Sequence, residues 1–187
     1  GGRWRCEGHF DPTKITATGP GLQGPIDDAF TAPFVCVRGT GRPWHPAVQE
    51  WSDASLRRFA YEWARYMRGD LPIIDDTQLT EGQLASRNVI LFGDPGSNLW
   101  IRKALPKLPV RWTQEEIRMS GGAWPAGDHV PAMIAPNPLR NGRGHYLVIN
   151  SGHTFHESEF AAFNYLLFPR LGDWAIARIS PGTAAWK

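Results

Sequence analysis

Short apolar runs alternate with amphipathic stretches along most of this chain. The runs VILF and YLVI are uniformly apolar, which is typical of strands covered on both faces of a parallel sheet. Between the first strand and the middle one, apolar residues repeat at the helical period from Leu56 to Met67. This pattern predicts a helix from about Pro46 to Met67, which Gly69 would end. Strands that alternate with helices predict an α/β domain with a mostly parallel sheet.

Weaker signals fill in the remaining elements. Thr80 and Gln83 have the spacing of a capping box, which predicts a short helix over 81–87. A second short helix is expected near 98–105, and a third over 157–167. The expected strands are Phe34–Arg38, the run LPIID, residues 89–93, the segments HVPAMIAPNP and HYLVIN, and residues 174–179.

We therefore predict a single flavodoxin-like or Rossmann-like domain of three layers over residues 34–180. Residues 109–145 look hairpin-like and are expected to add antiparallel strands at one edge of the sheet. Residues 1–33 are rich in Gly, Pro and Thr, which indicates an irregular lead-in or linker, and residues 181–187 form a tail. The chain has no initiator Met, and we expect it to be part of a longer polypeptide.

Composition narrows the class of protein only slightly. The chain has 187 residues, of which 42% are hydrophobic and 20% charged, as in an ordinary globular domain. A net charge of +2 without a dense basic stripe argues against a nucleic-acid partner, and no apolar stretch is long enough to span a membrane. Cys36 lies in an apolar run and is expected to be a buried thiol, whereas a bridge to Cys6 stays open.

The turn GDPGSN after the middle strand is the first candidate for a functional site. It lacks the pattern of a P-loop, of a dinucleotide-binding loop and of a nucleophile elbow. Asp94 and Pro95 suit a turn, and Ser97 or Asn98 suits the N-cap of the next helix. The turn is therefore either a plain connection or a contact for a ligand.

Polar residues follow three of the predicted strands, where the carboxyl ends of parallel neighbours would share one rim. Ligands usually bind at this edge of an open α/β sheet. The candidate ligand-binding residues are Arg38, Asp94, Ser97, Asn98, Asn150 and Ser151. Ser97, His153 and Asp94 are the candidate catalytic residues, because a serine, an imidazole and a carboxylate on one rim would suit hydrolysis.

Two other clusters of residues could carry metal-binding or acid–base chemistry. His153, His156 and Glu157 have a spacing that could bind a metal, but no third ligand is evident, so we expect no metal site. Asp27 and Asp28 form a pair of carboxylates that could do acid–base work, although such pairs are common in surface turns. The sequence indicates no cofactor.

Six stretches occur together in an order that resembles a known family. They are GLQGPIDDAF, FVCVRGTG, NVILFGDPGSN, HVPAMIAPNPL, YLVINSGHTF and DWAIARI, and they span residues 21–179. They resemble the C-terminal region of large secreted bacterial serine hydrolases of the prolyl-oligopeptidase-like or esterase-like kind. The resemblance implies an accessory domain beside an upstream catalytic α/β-hydrolase domain of the same polypeptide. It also implies an extracytoplasmic location, periplasmic or secreted, and it assigns no catalytic triad to this chain.

Three functions remain open at this point. The first is a non-catalytic accessory domain that packs on the catalytic domain or assists substrate binding. The second is a module that binds a saccharide or a peptide with exposed tryptophans such as Trp44 and Trp124. The third is an independent hydrolase that uses Ser97 and His153, which requires a hydrogen bond between these side chains.

Overall fold

The computed structural model describes residues 24–140, 144–161 and 167–179. The N-terminal stretch before residue 24, Cys6 and the predicted tail lie outside the described residues. The strands are β1 Phe34–Arg38, β2 Ile73–Asp75, β3 Asn88–Phe92, β4 Arg111–Trp112, β5 Glu116–Met119, β6 Gly122–Pro125, β7 His129–Pro136, β8 Tyr146–Ile149 and β9 Trp174–Arg178. The α-helices are α1 Pro46–Glu62, α2 Glu81–Ser86, α3 Leu99–Ala104 and α4 Glu157–Ala161.

Six strands form the central sheet in the order β2-β1-β3-β8-β7-β9. The first four of these are parallel to one another, whereas β7 runs antiparallel to both β8 and β9. The prediction of an α/β domain with a mostly parallel sheet is therefore confirmed. The parallel strands β1, β3 and β8 lie side by side, as the shared rim required.

Alternate side chains of these central strands point to opposite faces and enter two apolar cores. Val37 and Leu91 belong to one core, together with residues of α2, α3 and the smaller sheet. Cys36 and Ile90 belong to the other core. Cys36 is fully buried with a free thiol, as predicted, and burial raises its pKa well above the ordinary value.

Helix α1 contributes to both cores and leads to one side of the candidate site. It begins at Pro46, whose fixed φ suits the first helical turn, and ends at Glu62. A π-helical turn, Trp63–Met67, continues it, and Arg68 then adopts a left-handed conformation at φ 57°. The predicted helix thus reaches Met67, but its last turn is wound differently and Arg68 ends it before Gly69.

The hairpin-like region follows its predicted placement in part, since β7 lies within residues 109–145 and adds an antiparallel strand to the main sheet. Strands β4, β5 and β6 form a separate antiparallel sheet of three strands and do not extend the edge of the main sheet. Trp112, Ile117 and Met119 are buried against the first apolar core, and this burial explains the separate packing. Among the described strands of the main sheet, only β7 runs opposite to the others, and it pairs antiparallel with β8 on one side and β9 on the other.

One short element lies in the segment assigned to the irregular lead-in. Residues Ile26–Phe30 form a 3₁₀-helix, in which Ile26 and Ala29 are fully buried in the second core. This turn places Asp27 beside the loop that follows β8.

Candidate functional site

The turn after β3 is held by one buried carboxylate. Oδ1 of Asp94 accepts hydrogen bonds from the backbone amides of Gly96 and Ser97, each at 2.8 Å. Oδ2 accepts from the amides of Trp44 at 2.7 Å and His45 at 3.3 Å. With four donors around it, this carboxylate joins the turn to the loop before α1.

Ser97 and Asn98 complete the connection between β3 and α3. Ser97 Oγ is buried and accepts from the amide of Asp94 at 3.0 Å. Asn98 caps α3 through bonds from the amides of Trp100 and Ile101 to its Oδ1. Its Nδ2 donates to the carbonyls of Val37 and Phe92, at 3.1 and 3.0 Å, and so ties β1 to β3.

Close packing around this turn requires glycine. Gly93 has φ 126°, and a Cβ there would lie 2.5 Å from Ser97 Oγ. A Cβ on Gly96 would lie 2.6 Å from the carbonyl oxygen of Arg42. Of the two interpretations of GDPGSN, these contacts favour the tight connection.

The two flanking strands end in further internal contacts. Asn150 exchanges hydrogen bonds with both the amide and the carbonyl of Gly93, at 2.9 and 2.8 Å, and also accepts from Ser52 Oγ. Arg38 pairs with Asp75 at 2.7 Å across β1 and β2. Both side chains are thus placed on the predicted rim, where they join neighbouring elements.

A pocket of about 280 Å³ lies beyond the carboxyl end of β8. It is bounded by the loop after β8, by α1 and by the segment before β9. Its lining residues are Arg58, Ser151, His153, Thr154, His156, Arg170 and Leu171. Two guanidinium groups, two imidazoles and two hydroxyls therefore face one cavity, which could hold a small polar ligand.

The side chain of His153 is deeply buried, since only 3% of it is exposed. Its Nε2 lies 3.1 Å from Oε2 of Glu62, an ion-pair distance whose alignment falls short of a hydrogen bond. Nδ1 has no hydrogen-bond partner within the described part of the chain. The rings of Phe59, Phe155 and Phe160 surround the imidazole, with centroids 4.9 to 5.8 Å away.

Glu62 reaches the back of the pocket from the last residue of α1. Burial would raise its pKa, but the contacts with His153 and Arg58 together outweigh burial, and the pKa is lowered from 4.5. Arg58 Nε donates to Oε1 of Glu62 at 2.8 Å. Glu62 is therefore a buried carboxylate held in its ionised form between a guanidinium and an imidazole.

Thr154 is fixed from the opposite side by Asp27. The carboxylate of Asp27 accepts from both the amide and the hydroxyl of Thr154. Burial raises the pKa of Asp27, and the bonds from Thr154 offset part of that effect. Thr154 Oγ1 in turn accepts from the amide of Arg170 at 2.8 Å, so Asp27 indirectly holds the segment before β9.

Arg170 lies at the mouth of the pocket, and half of its side chain is exposed. One guanidinium nitrogen contacts Oε1 of Glu159, whose other oxygen accepts from the amide of His156 at 2.8 Å. That amide and the Arg170 guanidinium lower the pKa of Glu159.

The two candidate catalytic side chains Ser97 and His153 do not share a hydrogen bond in the described part of the chain. Ser97 Oγ bonds to the backbone of Asp94, and the imidazole of His153 faces Glu62. No described contact joins Ser97 to His153. Of the candidate rim residues, only Ser151 and His153 line the pocket.

The tryptophans named for saccharide binding are half-buried. Trp44 and Trp124 both pack against the first apolar core. Among the described tryptophans, Trp174 is the one whose side chain is well exposed, at 40%. A row of exposed tryptophan rings is therefore absent from the described part of the chain.

Sequence reasoning missed the residues that reach the pocket from other elements. Arg58 and Glu62 were hidden within an amphipathic helix, and Arg170 within a loop without a motif. One signal was present, because Arg58 and Glu62 have the i, i+4 spacing of an ion pair at a helix end. Nothing local indicates that this pair would meet a histidine ninety residues later.

The described residues contain no group of three or more His, Cys, Asp or Glu that could hold a metal ion. Within the same residues, no helix has the length and apolar character needed to cross a bilayer. No protein-family model, curated protein or solved structure matches the chain at a significant level.

Proposed function

We propose that this chain is a non-catalytic accessory domain of a secreted serine hydrolase, and that it assists the binding of substrate. The proposal takes the parent protein and its location from the sequence resemblance. The observation that supports a binding role is the pocket beyond β8, which is lined by polar side chains and open at Arg170. By contrast, Asp94, Ser97 and Asn98 are engaged in bonds that hold the turn together.

Hydrolysis by this chain alone is the competing function. A serine nucleophile needs a base within hydrogen-bond reach, whereas Ser97 Oγ is buried and bonded to the backbone. In the presence of the purified chain, we expect p-nitrophenyl acetate to hydrolyse no faster than in buffer alone. The Ser97→Ala variant should give the same rate. An esterase rate that disappears in Ser97→Ala would establish an independent hydrolase and overturn the proposal.

The binding role is tested by NMR titration of the labelled chain with N-acetyl-alanyl-alanine and, separately, with maltose. We expect the peptide to shift the amide signals of residues 151–156 and 170–171, with those of 94–98 unchanged. A maltose response at the indole signals of Trp44 or Trp124 would instead support a saccharide-binding module. If neither probe shifts any signal, the proposed binding role is wrong.

A further inference from the structure

The unpartnered nitrogen of His153 is the feature that indicates a ligand in this pocket. A buried polar atom without a partner costs about 1–3 kcal/mol. Nδ1 belongs to a side chain with 3% exposure, and His153 lines a cavity large enough for a ligand. A ligand atom that pairs with Nδ1 would remove this penalty.

The carboxylate of Glu62 determines whether the ligand atom that pairs with Nδ1 is a hydrogen-bond donor or an acceptor. Glu62 can only accept hydrogen bonds in its ionised form, so of the two neutral tautomers of His153 the one that fits carries its proton on Nε2, which faces Glu62 at 3.1 Å. Nδ1 is then a bare lone pair and an acceptor. Its partner on the ligand must be a donor, such as an N–H group.

The guanidinium groups of the pocket, by contrast, require a hydrogen-bond acceptor on the ligand. Arg58 and Arg170 are donors only, and they line the same pocket as His153. The contact of Arg170 with Glu159 uses one of its nitrogens and leaves N–H groups of a half-exposed side chain. A carboxylate is the ligand group that suits the planar donors of arginine.

Charge and size limit the ligand further. The charged and titratable groups that face His153 are Asp27, Arg58, Glu62, His156, Glu159 and Arg170. The carboxylates outnumber the guanidinium groups, so a monoanion is better tolerated than a dianion such as phosphate. A volume of about 280 Å³ is at the small end for a ligand pocket and suits one or two residues.

We propose that this pocket binds the C-terminal end of a peptide, with the terminal carboxylate on Arg170 and Arg58 and the last amide N–H on Nδ1 of His153. The inference rests on the proposed binding function and specifies its ligand. It assigns the pocket to recognition of a free chain end, which the product of a peptide cleavage would carry.

Three small probes separate the two contacts. N-acetyl-alanine carries both the carboxylate and the N–H group, N-acetyl-alaninamide lacks the carboxylate, and O-acetyl-lactate replaces the N–H group with an ester oxygen. In NMR titrations of the full chain, we expect N-acetyl-alanine to bind at least about tenfold more tightly than either analogue. Nitrogen-15 spectra of the same sample should show protonated Nε2 and unprotonated Nδ1 for His153.

Matched variants locate the contacts. Arg170→Gln should weaken N-acetyl-alanine about tenfold and leave N-acetyl-alaninamide unchanged. Arg178→Gln is the control, because Arg178 also faces a carboxylate, Asp128, but lines no described pocket. His153→Gln should remove the preference for N-acetyl-alanine over O-acetyl-lactate, and His129→Gln should preserve it, since His129 pairs with Asp128 away from the pocket.

The possible failures are distinct. Equal affinity for the acid and the amide would refute the carboxylate contact, and equal affinity for the amide-containing and ester-containing acids would refute the role of Nδ1. If maltose shifts residues 151–156 and none of the three probes does, the inference is wrong and the binding function stands. If nothing shifts these signals, both are wrong. These comparisons use the wild-type chain, so a variant that fails to fold does not affect them.

Discussion

The side chain of Asn98 has two structural roles, and a substitution at this position tests both. Its Oδ1 caps α3, and its Nδ2 ties the carbonyls of Val37 and Phe92 together. Asn98→Ala removes the cap, worth about 1 kcal/mol, and two hydrogen bonds worth about 1 kcal/mol each. We therefore expect the free energy of unfolding to fall by about 3 kcal/mol.

Thr80 provides the matched comparison, because it caps α2 through the capping box and the described hydrogen bonds of its side chain are all with Gln83. Thr80→Ala should lower the free energy of unfolding by about 1 kcal/mol. Urea unfolding of the three proteins at equal slope gives both values. If Asn98→Ala costs no more than Thr80→Ala, the amide of Asn98 does not stabilise the contact between β1 and β3, and the reasoning fails.

Three further perturbations test other parts of the structure. Asn150→Gly keeps the left-handed backbone at φ 50° but removes the bonds to Gly93 and Ser52, and urea unfolding should show a loss of about 2 kcal/mol; an unchanged midpoint would contradict this. Gly96→Ala forces a Cβ to within 2.6 Å of backbone, so it should cost about 1–3 kcal/mol, whereas Gly69→Ala meets nothing within 4 Å and should be nearly neutral in the same assay. Because folding lowers the pKa of Glu62, its ionised form stabilises the folded state above pH 4.5, and this stability is lost as the pH falls through the folded-state pKa. The difference in free energy of unfolding between the wild type and Glu62→Gln should therefore shrink between about pH 7 and about pH 3. A constant difference across this range would show that the ionised form of Glu62 is not favoured by folding.

The fold was largely predictable because its signals are local. The apolar runs gave strands β1, β3 and β8 to within a residue or two, and the capping box placed α2 correctly. The separate packing of β4–β6 was not predictable, since it depends on which core buries Trp112 and Ile117. Period and propensity describe a segment, whereas packing depends on its distant neighbours.

The site was predictable only in part for the same reason. The position of the rim follows from strand order, and it correctly placed His153 and Ser151 at a carboxyl edge. Whether a polar rim residue is free or bonded depends on partners such as the amides of Trp44 and His45, which no motif encodes. The assignment of Asp94 and Ser97 to a ligand or to the turn therefore needed three-dimensional structure.

The pocket is assembled from segments that lie far apart in the chain. Asp27 bonds to Thr154 across 127 positions, and Glu62 faces His153 across about ninety. A fragment that contains only one side of this arrangement cannot form the cavity. The pocket therefore exists only in the folded chain, with all of these segments in place. By linkage, a ligand at a concentration a hundredfold above its Kd would stabilise the folded state by about 2.7 kcal/mol. The ligand should then slow hydrogen exchange in β1, β3 and β8 together, because exchange from these buried strands requires unfolding of the state that the ligand stabilises.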